Sequence, residues 1–204
     1  MMLDPVLVHQ IFGALMLGFA TAVLLRALKV IRGYWSEYLP ASALVTLGAL
    51  LAADPWIFHG GSFGSEGNQH VAQGLIALVA GGLEWFRVRR RSRNMLLLLV
   101  VPLVLSALGL AFLWHPQHAG GDMLAQIAQH RVMGVTLLFA ALLKLIASFR
   151  HQGAEWAQSG WALVLIVFAF ELLLYIERPG GENHAPADHP MKDHSPAQLP
   201  GDKQ

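Results

Sequence analysis

Ten histidines and no cysteine occur in a chain of 204 residues. Three of the histidines share a pattern. His9, His70 and His130 are each followed four residues later by a glycine (Gly13, Gly74, Gly134). Seven residues further on stands a small residue each time (Ala20, Gly81, Ala141), so the common form is H-x3-G-x6-[AG]. Neutral imidazole is a ligand for copper, zinc, iron and nickel. Three imidazoles from three helices supply a trigonal or tetrahedral set with a position left for water. His59, His115 and His118 extend the candidate set, the last two as H-x2-H, and so do the carboxylates Asp54 and Glu171. The carboxylates are candidate ligands, or partners that fix imidazole orientation. His184, His189 and His194 recur every five residues near the end of the chain, a His-rich tract suited to collecting a metal. Without thiolates, thioethers are the soft donors that remain, and Met16 and Met133 lie close to His9 and His130. Each group has a plainer reading: histidine suits the membrane interface as an amphipathic side chain, methionine fills cores, and Asp54 before Pro55 reads as a kink or cap.

The elements that must carry these residues are membrane spans. Hydrophobic residues make up 55% of the chain and charged ones 13%, against a usual charged share of roughly a quarter. A soluble globule of this length could not cover so much apolar surface. Six segments reach the ~20 apolar residues a bilayer demands: 5–28, 38–58, 70–88, 95–115, 130–149 and 161–176. Asp4 and Pro5 read as N-cap and first-turn proline of the first helix. The expected fold is an all-α membrane protein of six transmembrane helices, arranged as three pseudo-repeated helical hairpins over residues 1–60, 61–120 and 121–178. Residues 179–204 hold five prolines and almost no large apolar residue, so a disordered His-rich tail is expected there. The Gly- and Ser-rich stretch 60–67 reads as a plain loop.

Charge sets the orientation. Arg26, Lys29, Arg32, Arg87, Arg89, Arg90, Arg91, Arg93, Lys144 and Arg150 fall on one side; Arg131, Arg178, Lys192 and Lys203 fall on the other. By the positive-inside rule the first set faces the cytoplasm, and both termini face out. The first helix has no preceding Lys or Arg and reads as a retained anchor rather than a cleaved signal. All histidines but His151 then lie outside or at the outer membrane edge.

The histidine, its glycine and the following small residue share one helix face. Small residues in membrane helices permit close backbone approach. The simplest arrangement brings helices one, three and five together at a pseudo-three-fold axis, with the even helices outside. The position fourteen residues past each histidine holds Val23, Glu84 and Lys144. Glu84 and Lys144 are expected at one depth, as an interior ion pair or as two chains snorkelling to the headgroups.

The His-opened helices with H-x3-G, the helix ends reading FHGG and WHPQH, and the His-rich tail resemble small integral membrane proteins of bacterial copper-resistance loci, CopD-like in character. The resemblance implies copper handling at the periplasmic face of the bacterial inner membrane, with His9, His70 and His130 as the matched positions. Copper is the expected metal, with zinc as an alternative. A periplasmic metal chaperone or a membrane partner subunit is the expected kind of partner. Two rival functions use the same residues: electron transfer through a b-type haem held by histidine pairs, and a cofactor-free assembly protein with interfacial histidines. No hydrolase triad, phosphate-binding glycine loop or nucleic-acid patch is visible, and Gly60-Gly61 and Gly120-Gly121 are turns.

Overall fold

The computed structural model describes residues 5–58, 61, 65–114, 123–149 and 154–176. They form six α-helices: α1 (Pro5–Ala27), α2 (Leu39–Ile57), α3 (Ser65–Arg89), α4 (Met95–Leu113), α5 (Met123–Phe149) and α6 (Glu155–Leu173), with one 3-10 turn at Tyr34–Tyr38. All six are long and apolar enough to cross a membrane. Their apolar residues surround the helices instead of forming one stripe, as burial in protein on one side and lipid on the other requires. Val79, Leu103, Val135 and Leu163 are all more than half exposed on the outer surface.

Local signals explain the helix ends. The Asn94 side chain accepts from the Leu96 N–H at 2.9 Å and caps α4. Pro40 sits in the first turn of α2, where its missing N–H costs nothing. α1 and α3 each close with a basic residue in the left-handed region, Lys29 (φ 62) and Arg91 (φ 49). Behind them Val30 N–H reaches Leu25 O at 2.9 Å, and Ser92 N–H reaches Arg87 O at 3.0 Å. These bonds satisfy terminal carbonyls that would otherwise lack donors. The N-cap expected of Asp4 lies outside the described residues.

Two expectations need correction. His70 and His130 do not open their helices: α3 starts at Ser65 and α5 at Met123. Each of the three histidines therefore sits between about one and two turns inside. The run before His130, Met123–Gln129, is made of good helix formers, and before His70 the formers Glu66 and Gln69 flank Gly67 and Asn68; both runs extend the helix outward. Nor do the odd helices meet at a central axis. The helices form a ring in chain order, α1 beside α2 through to α6, and α6 closes back on α1. Each odd helix lies between two even ones.

The small-residue stripe explains the ring, because it faces sideways onto an even helix. A Cβ on Gly74 would collide with the Ala52 backbone of α2; one on Gly134 would come 2.7 Å from Gly109 O of α4; one on Gly13 would come 3.0 Å from Ala169 O of α6. The three equivalent glycines thus make three equivalent contacts, in the pairs α2–α3, α4–α5 and α6–α1. The even partners follow the same step as the histidines: Gly48 packs under Gly74, Gly109 under Gly134, and Ala169 under Gly13. The period of about 60 residues is a repeat of packing as well as of sequence.

Candidate functional site

Because the glycines hold the helices in side-by-side pairs, the interior of the ring stays open at the end that carries the histidines. A cavity of about 160 Å³ lies there, with residues of all six helices in its wall. His9, His70 and His130 all line it. The residues seven positions beyond each histidine, Met16, Ala77 and Leu137, line it as well. Positions 0 and 7 of the repeat therefore face inward, while position 4 makes the helix pair.

The three imidazoles are held differently. On α5, His130 is 5% exposed, and its Nδ1 lies 2.9 Å from the carbonyl oxygen of Gln126 one turn earlier. A carbonyl only accepts, so Nδ1 carries the hydrogen. On α3, His70 Nδ1 donates to Asp54 Oδ2 on α2 at 2.9 Å, and the Asp54 side chain is 1% exposed. A carboxylate or carbonyl behind the imidazole fixes the ring and raises the basicity of its other nitrogen. On α1, His9 stacks on Tyr175 with ring centroids 3.9 Å apart and planes 15° from parallel. The same His9 stands edge-on to His130 at 6.2 Å. Phe112 stacks against His130, with centroids 5.8 Å apart and planes 28° from parallel.

The sequence candidates separate accordingly. The structure brings His9 and His130 together, and His70 with Asp54, around one cavity. Among the described residues no three His, Asp or Glu side chains converge where one metal ion could sit. The expected three-imidazole cluster is therefore a His–His pair and a His–Asp pair sharing a cavity. The physical reason is the ring: even helices separate the odd ones, so the three histidines are spread around one cavity instead of meeting on an axis. Glu171 on α6 does not join the site. It accepts from Thr136 Oγ1 on α5 at 2.7 Å, and it is not in the cavity wall. Met16 lines the cavity, whereas Met133 is buried in the core. His59, His115, His118, His184, His189 and His194 lie outside the described residues.

At the opposite, arginine-rich end, Glu84 makes no hydrogen bond to Lys144, although its charge lies close enough to act on that ammonium. Arg87, one turn along α3, takes both Glu84 oxygens, at 2.6 Å and 2.7 Å. Its planar fork matches a carboxylate at i,i+3 in a way a lysine from another helix cannot. Lys144 Nζ instead lies 4.7 Å from the centre of the Trp161 ring, a cation–π contact. Both groups point into protein, so neither snorkels.

Sequence reasoning passed over Tyr175, Phe112, Gln73 and Gln126 as site residues. One of them is legible in the repeat: Tyr175 holds the position equivalent to Asp54 and His115. Gln126 acts through its main chain, which no residue type announces. No protein-family model, curated protein or solved structure matches the chain.

Proposed function

We propose that this chain is a multi-pass protein of the bacterial inner membrane that binds metal, copper first, at a periplasm-facing cavity, through the His9–His130 pair and the His70–Asp54 pair in its wall. One observation carries the reading. His70 and His130 both have Nδ1–H directed to an oxygen acceptor, Asp54 Oδ2 and Gln126 O, each at 2.9 Å. An Nδ1–H held by an oxygen acceptor fixes the ring, and in a neutral imidazole so held Nε2 is the nitrogen that ligates a metal. The separation of His9 and His130, 6.2 Å between ring centres, is also in keeping with two metal–nitrogen bonds of about 2 Å plus the two half-rings, roughly 6 Å. Met16 offers the site a thioether, and the absence of cysteine leaves imidazole, carboxylate and thioether as its donors. The excess of Lys and Arg at the far end supports an outward-facing histidine end. Copper tolerance or delivery, with a soluble metal chaperone or a membrane subunit as partner, follows as the proposed role.

A b-type haem suits the site less well. The cavity of about 160 Å³ is smaller than the pockets of roughly 300 Å³ and more that take drug-sized ligands, and haem is larger still. The test is elemental analysis of the purified full chain with His184, His189 and His194 replaced by alanine, with and without the further changes His9→Ala, His70→Ala and His130→Ala. Copper bound to the first protein and absent from the second is the expected result. Equal metal in both would remove the proposed site, and a Soret band would favour haem.

A further inference from the structure

The cavity has more in it than imidazoles. Its wall is mostly aliphatic and aromatic: Leu44, Leu47, Leu105 and Leu108 from α2 and α4, and Phe12, Phe112 and Phe168 from α1, α4 and α6. Polar groups are confined to a few positions: Gln73, one turn beyond His70 on α3, the His70–Asp54 pair, and His9 and His130. An apolar cavity of about 150 Å³ stays dry and is large enough for benzene. Three phenylalanine rings in the wall favour an aromatic guest through edge and offset contacts. A purely apolar guest would leave the polar positions facing hydrocarbon, which is costly. The Gln73 amide can both donate and accept, so it matches a hydroxyl, itself donor and acceptor.

We propose that this cavity binds a small neutral aromatic ring bearing a hydroxyl, a compound of the phenol class, with the ring between Phe112, Leu108 and Leu47 and the hydroxyl at Gln73 and the Asp54–His70 pair. This site does not depend on the metal reading. A guest of this class dissolves in the bilayer, so the membrane itself delivers it to the ring.

The test uses the full chain in detergent, stripped of metal with a chelator so that loss of metal binding cannot affect the outcome. Thermal unfolding is followed with increasing phenol or toluene, two molecules of nearly the same shape. Phenol is expected to raise the melting temperature saturably and to bind about tenfold more tightly than toluene, the worth of one hydrogen bond. Gln73→Leu should remove that preference and leave toluene unchanged. Leu108→Trp, which fills the cavity, should abolish the shift for both; if that variant does not fold, Leu47→Trp serves the same purpose. A phenol shift that survives in the filled variant, or no saturable shift in the wild type, would overturn the site. Equal binding of phenol and toluene would overturn the hydroxyl selectivity and identify the cavity as a hole for hydrocarbon chains.

Discussion

His70 on α3 donates through Nδ1 to Asp54 on α2 at 2.9 Å, across the helix pair in which Gly74 lies against the Ala52 backbone. The carboxylate is 1% exposed, so the bond is made where a charge is expensive to leave alone. Asp54→Asn keeps an oxygen acceptor but removes the negative charge that makes His70 a stronger ligand. Metal affinity is expected to fall by about 10–100-fold with helix content unchanged. Asp54→Leu removes the acceptor too, and should cost a further ~1–3 kcal/mol of stability. Metal titration and circular-dichroism melts in detergent separate the two effects.

The stack of Tyr175 on His9 separates orientation from hydrogen bonding. Tyr175→Phe retains the ring and should leave metal content near that of the wild type. Tyr175→Leu loses the parallel contact at 3.9 Å and should destabilise by about 0.5–1.5 kcal/mol. Metal content is expected to drop with it, because His9 loses the surface that holds its ring. Identical metal loadings in the two variants would show that the stack does not position the ligand.

The glycines give a sharp contrast in stability. A methyl at Gly74 meets main chain of α2, which cannot move aside. Gly74→Ala should therefore cost about 1–3 kcal/mol. Gly82 is also on α3, but nothing lies within 4 Å of the position its Cβ would take. Gly82→Ala should be neutral or stabilising by about 0.4–1 kcal/mol, through reduced freedom of the unfolded chain. Melting temperatures of the two variants, side by side, test whether the repeat glycines serve the helix pairs.

At the arginine-rich end, Glu84 and Arg87 form a pair whose carboxylate side chain is 3% exposed. Arg87→Met removes the hydrogen-bonding partner of that carboxylate, leaving only the more distant Lys144 charge, and should cost up to about 3–5 kcal/mol. Glu84→Leu together with Arg87→Met should recover most of the loss, since a well-packed apolar pair replaces a desolvated ionic one with little penalty. A double-mutant cycle in detergent gives the coupling directly. Additive single changes would mean that the two residues do not act as a pair.

Much of this architecture was written in residue spacing, and the part that was not has a physical cause. Six spans follow from hydropathy alone, and the H-x3-G pattern correctly located three equivalent close contacts. What it did not specify was the partner. A glycine marks where a backbone approaches, but lists no direction, and the choice between another odd helix and an even one depends on both surfaces. The matching step in the even helices, from Gly48 to Gly109 to Ala169, carries that information. The same step sets Asp54, His115 and Tyr175 in register. It explains why a carboxylate backs His70 where a phenol ring backs His9; His115 itself lies outside the described residues. The Glu84 partner was missed for a simpler reason: position fourteen of the repeat drew attention to Lys144, while Arg87 sat one turn away on the same helix.

The absence of cysteine makes the proposed orientation testable without background. Ser92 lies in the turn between α3 and α4, flanked by Arg91 and Arg93. Trp114 lies at the other end of α4, 74% exposed. Each becomes the sole thiol in Ser92→Cys and Trp114→Cys. Positively charged loops are retained on the cytoplasmic side because translocating them against the membrane potential is costly. In intact spheroplasts an impermeant maleimide should therefore label Trp114→Cys and leave Ser92→Cys untouched until the membrane is opened. The reverse pattern would put the histidine end in the cytoplasm. A reducing compartment would then surround the proposed metal site, and the periplasmic copper role would be lost even if the imidazoles bound the ion.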